Sequence, residues 1–213
     1  MKTEDLIHLL AADTVPVPRH AAAKRLALGL LLAVPVSGLL MRHGLGLNPA
    51  LGQYATLPMF WVKFGAPLLM ALAALLLVAR LGKPGSVTRL AWLGWAAPIG
   101  LVWALGLMAV WQAPAAQLPE LVLSRTWRVC AENIAMLSLP VFLAAIWVLR
   151  GMAPVHPAWA GAGAGALGGA VGATVYALHC PELAAPFIAI WYVLGMSLPV
   201  AAGAVLGPRL LRW

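Results

Sequence analysis

Cys130 and Cys180 are the residues with the most chemistry to offer, because two thiols can be oxidised to a disulfide or can share a soft metal ion. His179, next to Cys180, and the carboxylates Glu132 and Glu182 are the candidate auxiliary metal ligands. Their spacing matches no fixed metal motif. Cys130 falls at the start of a predicted helix with Arg125 and Arg128 close by, a setting that favours thiolate over thiol. Two cysteines in an apolar chain can equally be small apolar filler, and the residue types alone leave both readings open. Glu132 and Asn133 sit in the first turn of the same predicted span, with Lys63 as the most plausible partner of Glu132; the favoured reading is that Glu132 and Lys63 both snorkel to the interface.

Other chemistries lack their residues. The glycine-rich stretch GAGAGALGG has no Lys-Ser/Thr ending and so is no phosphate loop, and no CxxC pair is present. His8, His20, His43, His156 and His179 are scattered singly, and no serine has a base at a recognisable spacing. An enzyme is not expected.

The elements that carry these residues follow from composition. Of 213 residues 63% are hydrophobic and 9% charged, which predicts a membrane protein. At about 20 residues per span there is room for roughly six helices. Apolar runs place them at 25–42, 60–79, 91–111, 129–149, 157–178 and 186–206. The net charge of +8 forms no stripe with interleaved aromatics, so direct nucleic-acid binding is not expected. With an inside N-terminus, Lys2, Arg19, Lys24, Arg25, Arg80, Lys83, Arg89, Arg150, Arg209 and Arg212 face inward, and only Arg42, Lys63, Arg125 and Arg128 face outward. This bias predicts that both termini are cytoplasmic, and it brings both cysteines to the outer face. Most tryptophans, among them Trp61, Trp92, Trp111, Trp147, Trp159 and Trp191, fall near span ends.

Gly161, Gly165 and Gly169 recur at intervals of four in the fifth span, with Gly168 and Gly172 as a second pair. Such a stripe could serve dimerisation or conduction; we read it as helix packing within the bundle. Residues 1–24 form a separate polar segment. Thr3 can cap a short helix with Leu6, Ile7 and Leu10 on one face, and the Val15-Pro16-Val17-Pro18 stretch should end it. Its first thirteen residues carry Glu4, Asp5 and Asp13 against Lys2 alone, which suits a protein partner better than a membrane surface.

Several segments resemble the NrsF-like membrane anti-sigma factors. They are the opening Lys2-Thr3-Glu4-Asp5-Leu6-Ile7 with Leu10-Ala11-Ala12-Asp13, the motif Tyr176-Ala177-Leu178-His179-Cys180-Pro181-Glu182, then Trp191-Tyr192 and the closing Gly207-Pro208-Arg209-Leu210-Leu211-Arg212-Trp213. The resemblance implies an all-α, six-span protein of the bacterial inner membrane, residues 25–213, with the N-terminal segment in the cytoplasm. It implies as partner a sigma factor of the extracytoplasmic-function group, held through a segment including Asp5, Leu6, Ile7, Leu10 and Asp13. It also implies release when Cys130 and Cys180 respond to heavy metal or oxidant, with transient metal binding and no resident cofactor. The competing reading is a small multi-pass transporter or metal-efflux protein, which would need repeat symmetry and a polar site near the midplane. Neither is visible, and the oligomeric state is open.

Overall fold

The structure, a computed structural model, describes residues 3–5, 7, 21–83, 85–152 and 154–212, and no strand occurs among them. Among the described residues from 21 onward there are eight α-helical elements and one short 3-10 turn, Ala115–Gln117. The eight are α1 (Ala21–Leu45), α2 (Leu51–Tyr54), α3 (Pro58–Leu81), α4 (Arg89–Gln112), α5 (Leu118–Leu123), α6 (Trp127–Arg150), α7 (Pro157–Tyr176) and α8 (Ala185–Leu210). Prolines sit at the start of α3 and α7, where the missing N–H costs no helical bond. Pro35, Pro67, Pro98, Pro140, Pro199 and Pro208 lie inside helices. Interior prolines are tolerated where neighbouring helices satisfy the freed backbone. Two helices absorb a wider turn, α1 at Met41–Leu45 and α8 at Ile188–Tyr192.

Among the described residues five segments are long and apolar enough to cross a membrane: α1, α3, α4, Ala115–Arg150 and α8. The sixth expected span, α7, is a helix of 20 residues that falls short on composition, so the count drawn from sequence is corrected to five. The reason is its makeup, since alternating glycine and alanine carry little apolar surface. The surface of the others explains the composition of the whole chain. Leu31, Leu32, Leu90, Leu107 and Trp111 are all more than half exposed, an apolar exterior far beyond what a water-soluble fold presents.

α7 occupies the centre. Every residue from Ala160 to Ala170 is buried, and α8, α6 and α3 pack around it in that order of intimacy. Its glycines divide between neighbours. A Cβ on Gly161 would strike the backbone of Gly203, one on Gly165 the backbone of Pro199, and one on Gly169 Met196 and Pro199, so this stripe faces α8. Gly168 and Gly172 face Ser138, Phe142 and Ile134 of α6, while Gly163 faces Leu77 and Leu81 of α3. Backbone-to-backbone approach of this kind supplies close dispersion contact, and glycine alone allows it. α1 lies on α6, and α4 lies on α3 and the start of α8.

This packing gives the bundle two distinct ends. At one, α6 begins and α7 finishes, bringing Cys130 and Cys180 into one buried cluster. At the other, α1, α4 and α7 begin and α3, α6 and α8 finish. That basic end carries Lys24, Arg25, Arg80, Lys83, Arg89, Arg150, Arg209 and Arg212.

Candidate sensor site at the cysteine end

Cys130 lies in the first turn of α6, its amide donating to Thr126 O (3.0 Å). Cys180 follows the end of α7, and the amides of both His179 and Cys180 donate to Tyr176 O (3.0 Å each). Both thiols are free and buried, with relative exposures of 0% and 1%. A reactive cysteine normally sits partly exposed in an electropositive pocket. Cys130, expected from its neighbouring charges to favour the thiolate, is instead shielded from water, because its side of the first turn faces the core.

The charge beside the pair is Lys63. It projects from the second turn of α3, and because helical side chains lean toward the N-terminus its stem is directed at the turn after α7. Its Nζ donates to Cys180 O (2.5 Å) and Glu182 O (2.8 Å) and lies 5.6 Å from the centroid of the Tyr192 ring. Lys63 has no exposed surface, so the ammonium exchanges its hydration for two carbonyls and a ring face. Pro181 lies between the two acceptors, and the Cys-Pro-Glu turn thus wraps its carbonyls around one cation. Lys63 neither snorkels to the interface, as favoured, nor pairs with Glu132: Glu132 is exposed on α6 while Lys63 turns inward. Sequence reading missed this role. Its signal was a single lysine within the apolar run Phe60-Trp61-Val62-Lys63-Phe64.

Two tyrosines complete the cluster. Tyr176 and Tyr192 are buried with ring centroids 5.9 Å apart. Among the described residues neither hydroxyl makes a hydrogen bond of ordinary geometry; Tyr176 lies beside Cys130 and Asn133, and Tyr192 beside Cys180.

The auxiliary ligands are engaged elsewhere. His179 Nδ1 lies 2.8 Å from Gly46 O, and the Asn48 amide donates to Leu178 O (3.2 Å), so the loop after α1 clips the end of α7. Gly46 takes a φ of +83°, a left-handed conformation that suits glycine. Glu182 Oε1 accepts from the Arg125 amide (3.1 Å). Among the described residues no three His, Cys, Asp or Glu side chains converge as metal ligands, so the candidate auxiliary ligands His179, Glu132 and Glu182 do not gather with the thiols. The segment between α4 and α6 is pinned over the site by Trp191, whose Nε1 donates to Val122 O (2.9 Å) and whose ring lies 5.2 Å from that of Trp127.

Of the N-terminal residues, Asp5 and Ile7 are helical and exposed; Leu6, Leu10 and Asp13 lie outside the described residues.

The family described as negative regulator of sigma F matches residues 10–213. The chain belongs to this family. It is 43% identical over its whole length to the probable anti-sigma-F factor NrsF of Azospira oryzae (strain ATCC BAA-33 / DSM 13638 / PS), the match covering all of that protein too. It is 40% identical to the anti-sigma-F factor NrsF of Caulobacter vibrioides (strain NA1000 / CB15N), again with both chains fully covered. No solved structure matches. Membership of the sigma-F regulator family implies a regulatory role.

Proposed function

We propose that the protein is an inner-membrane anti-sigma factor that holds an extracytoplasmic-function sigma factor through residues 1–24 and releases it when the cysteine end meets heavy metal or oxidant. The observation that carries this is identity of 43% and 40% over full length to two proteins named anti-sigma-F factors. In this reading the five long apolar segments are the lipid-facing spans. α7 lies among them as an interior helix, sheltered from lipid by α3, α6 and α8, and both termini lie in the cytoplasm. The separation of charge supports that orientation. Eight Lys and Arg gather at the basic end, whereas Glu120, Glu132 and Glu182 all belong to the other.

The acidic, amphipathic N-terminal segment supplies a surface for a basic partner, with Leu6, Ile7 and Leu10 as apolar anchors. At the far end, two buried sulfurs without hard donors suit a soft ion or an oxidant. Either must first open the turn that Lys63 holds.

Co-purification of the cognate sigma factor with full-length protein from membranes tests the output. Recovery is expected with the natural chain and should fall at least tenfold with Leu6→Asp or Ile7→Asp. The reading fails if the natural chain recovers no sigma factor and removal of residues 1–15 leaves target transcription unchanged. For the input, Cys130→Ser and Cys180→Ser should each blunt induction by cadmium or peroxide. Normal induction in both would eliminate the sensor role and leave the anti-sigma role standing.

A further inference from the structure

The basic end contains a cavity of about 600 Å³ between the α3–α4 and α6–α7 connections. Arg80, Lys83 and His156 line it together with Thr88, Trp92 and Trp159, and among the described residues no acidic side chain does. We propose that this cavity binds the phosphate headgroup of an anionic phospholipid. Thr88 and His156 are the N-cap residues of α4 and α7, so two long helices begin at the cavity, and neither has a side-chain cap on its first-turn amides. Uncapped N–H groups and the positive ends of both helix dipoles therefore add to the three basic side chains. Arg80 is held in place by one hydrogen bond, Nη1 to Val87 O (3.0 Å), which leaves further guanidinium donors for an anion.

What points to a lipid rather than a soluble anion is the rim. Trp92 and Trp159 meet edge to face with centroids 5.7 Å apart, a pairing suited to headgroup depth. Beside them Val87, Leu90 and Val155 are 71%, 72% and 58% exposed, an apolar collar against which acyl chains can lie. Basic pockets at the cytoplasmic ends of membrane helices recognise headgroups by this combination of charge and apolar surface. The site would tie the two connections together at the end of the bundle from which the N-terminal segment departs.

The inference rests on the membrane reading above, and the two can fail separately. Full-length protein is delipidated in detergent, supplied with tetraoleoyl cardiolipin, dioleoyl phosphatidylcholine or inorganic phosphate, and assayed by native mass spectrometry. Cardiolipin should be retained in preference to phosphatidylcholine. Retention should fall about 30-fold in the Arg80→Gln/Lys83→Gln variant, the loss expected for two juxtamembrane charges. Arg209→Gln/Arg212→Gln, which removes equal charge from the same end outside the cavity, should stay within threefold of the natural chain. An unchanged elution profile and melting curve confirm that each variant is folded, and Lys83→Arg, which keeps the charge, should retain lipid. Equal losses in both double variants would overturn the site. So would displacement of lipid by millimolar inorganic phosphate, which would make the ligand a free anion. A tenfold gain in lipid retention on deleting residues 1–15 would assign the cavity to the acidic N-terminal segment instead. Recovery of the protein in the soluble cell fraction would defeat the membrane reading itself.

Discussion

Replacing Lys63 by methionine isolates what its ammonium does, since the stem still fills its place in the core while both hydrogen bonds disappear. The bond to Cys180 O is fully buried and the one to Glu182 O is partly so. A buried carbonyl left without a donor costs about 1–3 kcal/mol, and one that water can reach costs less. The change also removes a buried cation whose own desolvation opposed folding, which offsets part of the loss. The net weakening of the 180–182 turn is then about 2 kcal/mol, equivalent to a roughly 30-fold rise in its open population. Alkylation of Cys180 by a small maleimide in native membranes, followed by mass spectrometry, reads this population when closing is faster than reaction. Lys63→Met should accelerate labelling about 30-fold, whereas Gly65→Ala, whose added methyl meets nothing within 4 Å, should not. Labelling of Lys63→Met within twofold of the natural chain would refute the clamp. Natural protein that labels at the rate of a free thiol would refute the burial of the pair.

Gly165→Leu should drive α7 from α8, because its side chain would meet the backbone of Pro199 and Val200, whereas Gly100→Leu extends into open space. Overpacking of about 1–3 kcal/mol should lower the melting temperature in detergent by roughly 5 °C in the first and leave the second unchanged. Trp191→Phe keeps most of the contact with Trp127 but loses the bond to Val122 O, worth about 1 kcal/mol. Limited proteolysis within 113–126 should become roughly fivefold faster, and equal rates would show that this bond does not hold the segment down.

Particular residues show why parts of this architecture can be read from a sequence and others cannot. The drawn spans 60–79, 91–111 and 129–149 sit inside Pro58–Leu81, Arg89–Gln112 and Trp127–Arg150, each a residue or two short at either end. Apolar runs bounded by charge, proline and glycine are local properties, and a helix is the only way an isolated span can satisfy its own backbone. The glycine stripe at 161, 165 and 169 was legible as a packing face by spacing alone. Its partner was not, because α3, α6 and α8 are all apolar and all adjacent.

Lys63 marks the sharper divide. Residue type and position allowed a snorkelling side chain or a partner for Glu132. The choice fell to carbonyls 117 and 119 residues away, brought within reach by α3 packing on α7. The cysteines repeat the lesson: charge counting assigned them to one end, and only the inward rotation of the first turn of α6 buried Cys130. Composition and spacing therefore determined the helical class, the span limits and the family segments, all of which depend on local chemistry. Tertiary structure decided which groups are shielded from water and which backbone atoms a buried cation can reach, because both depend on helix rotation. In a chain so uniformly apolar, periodicity gives little sign of which way each helix faces.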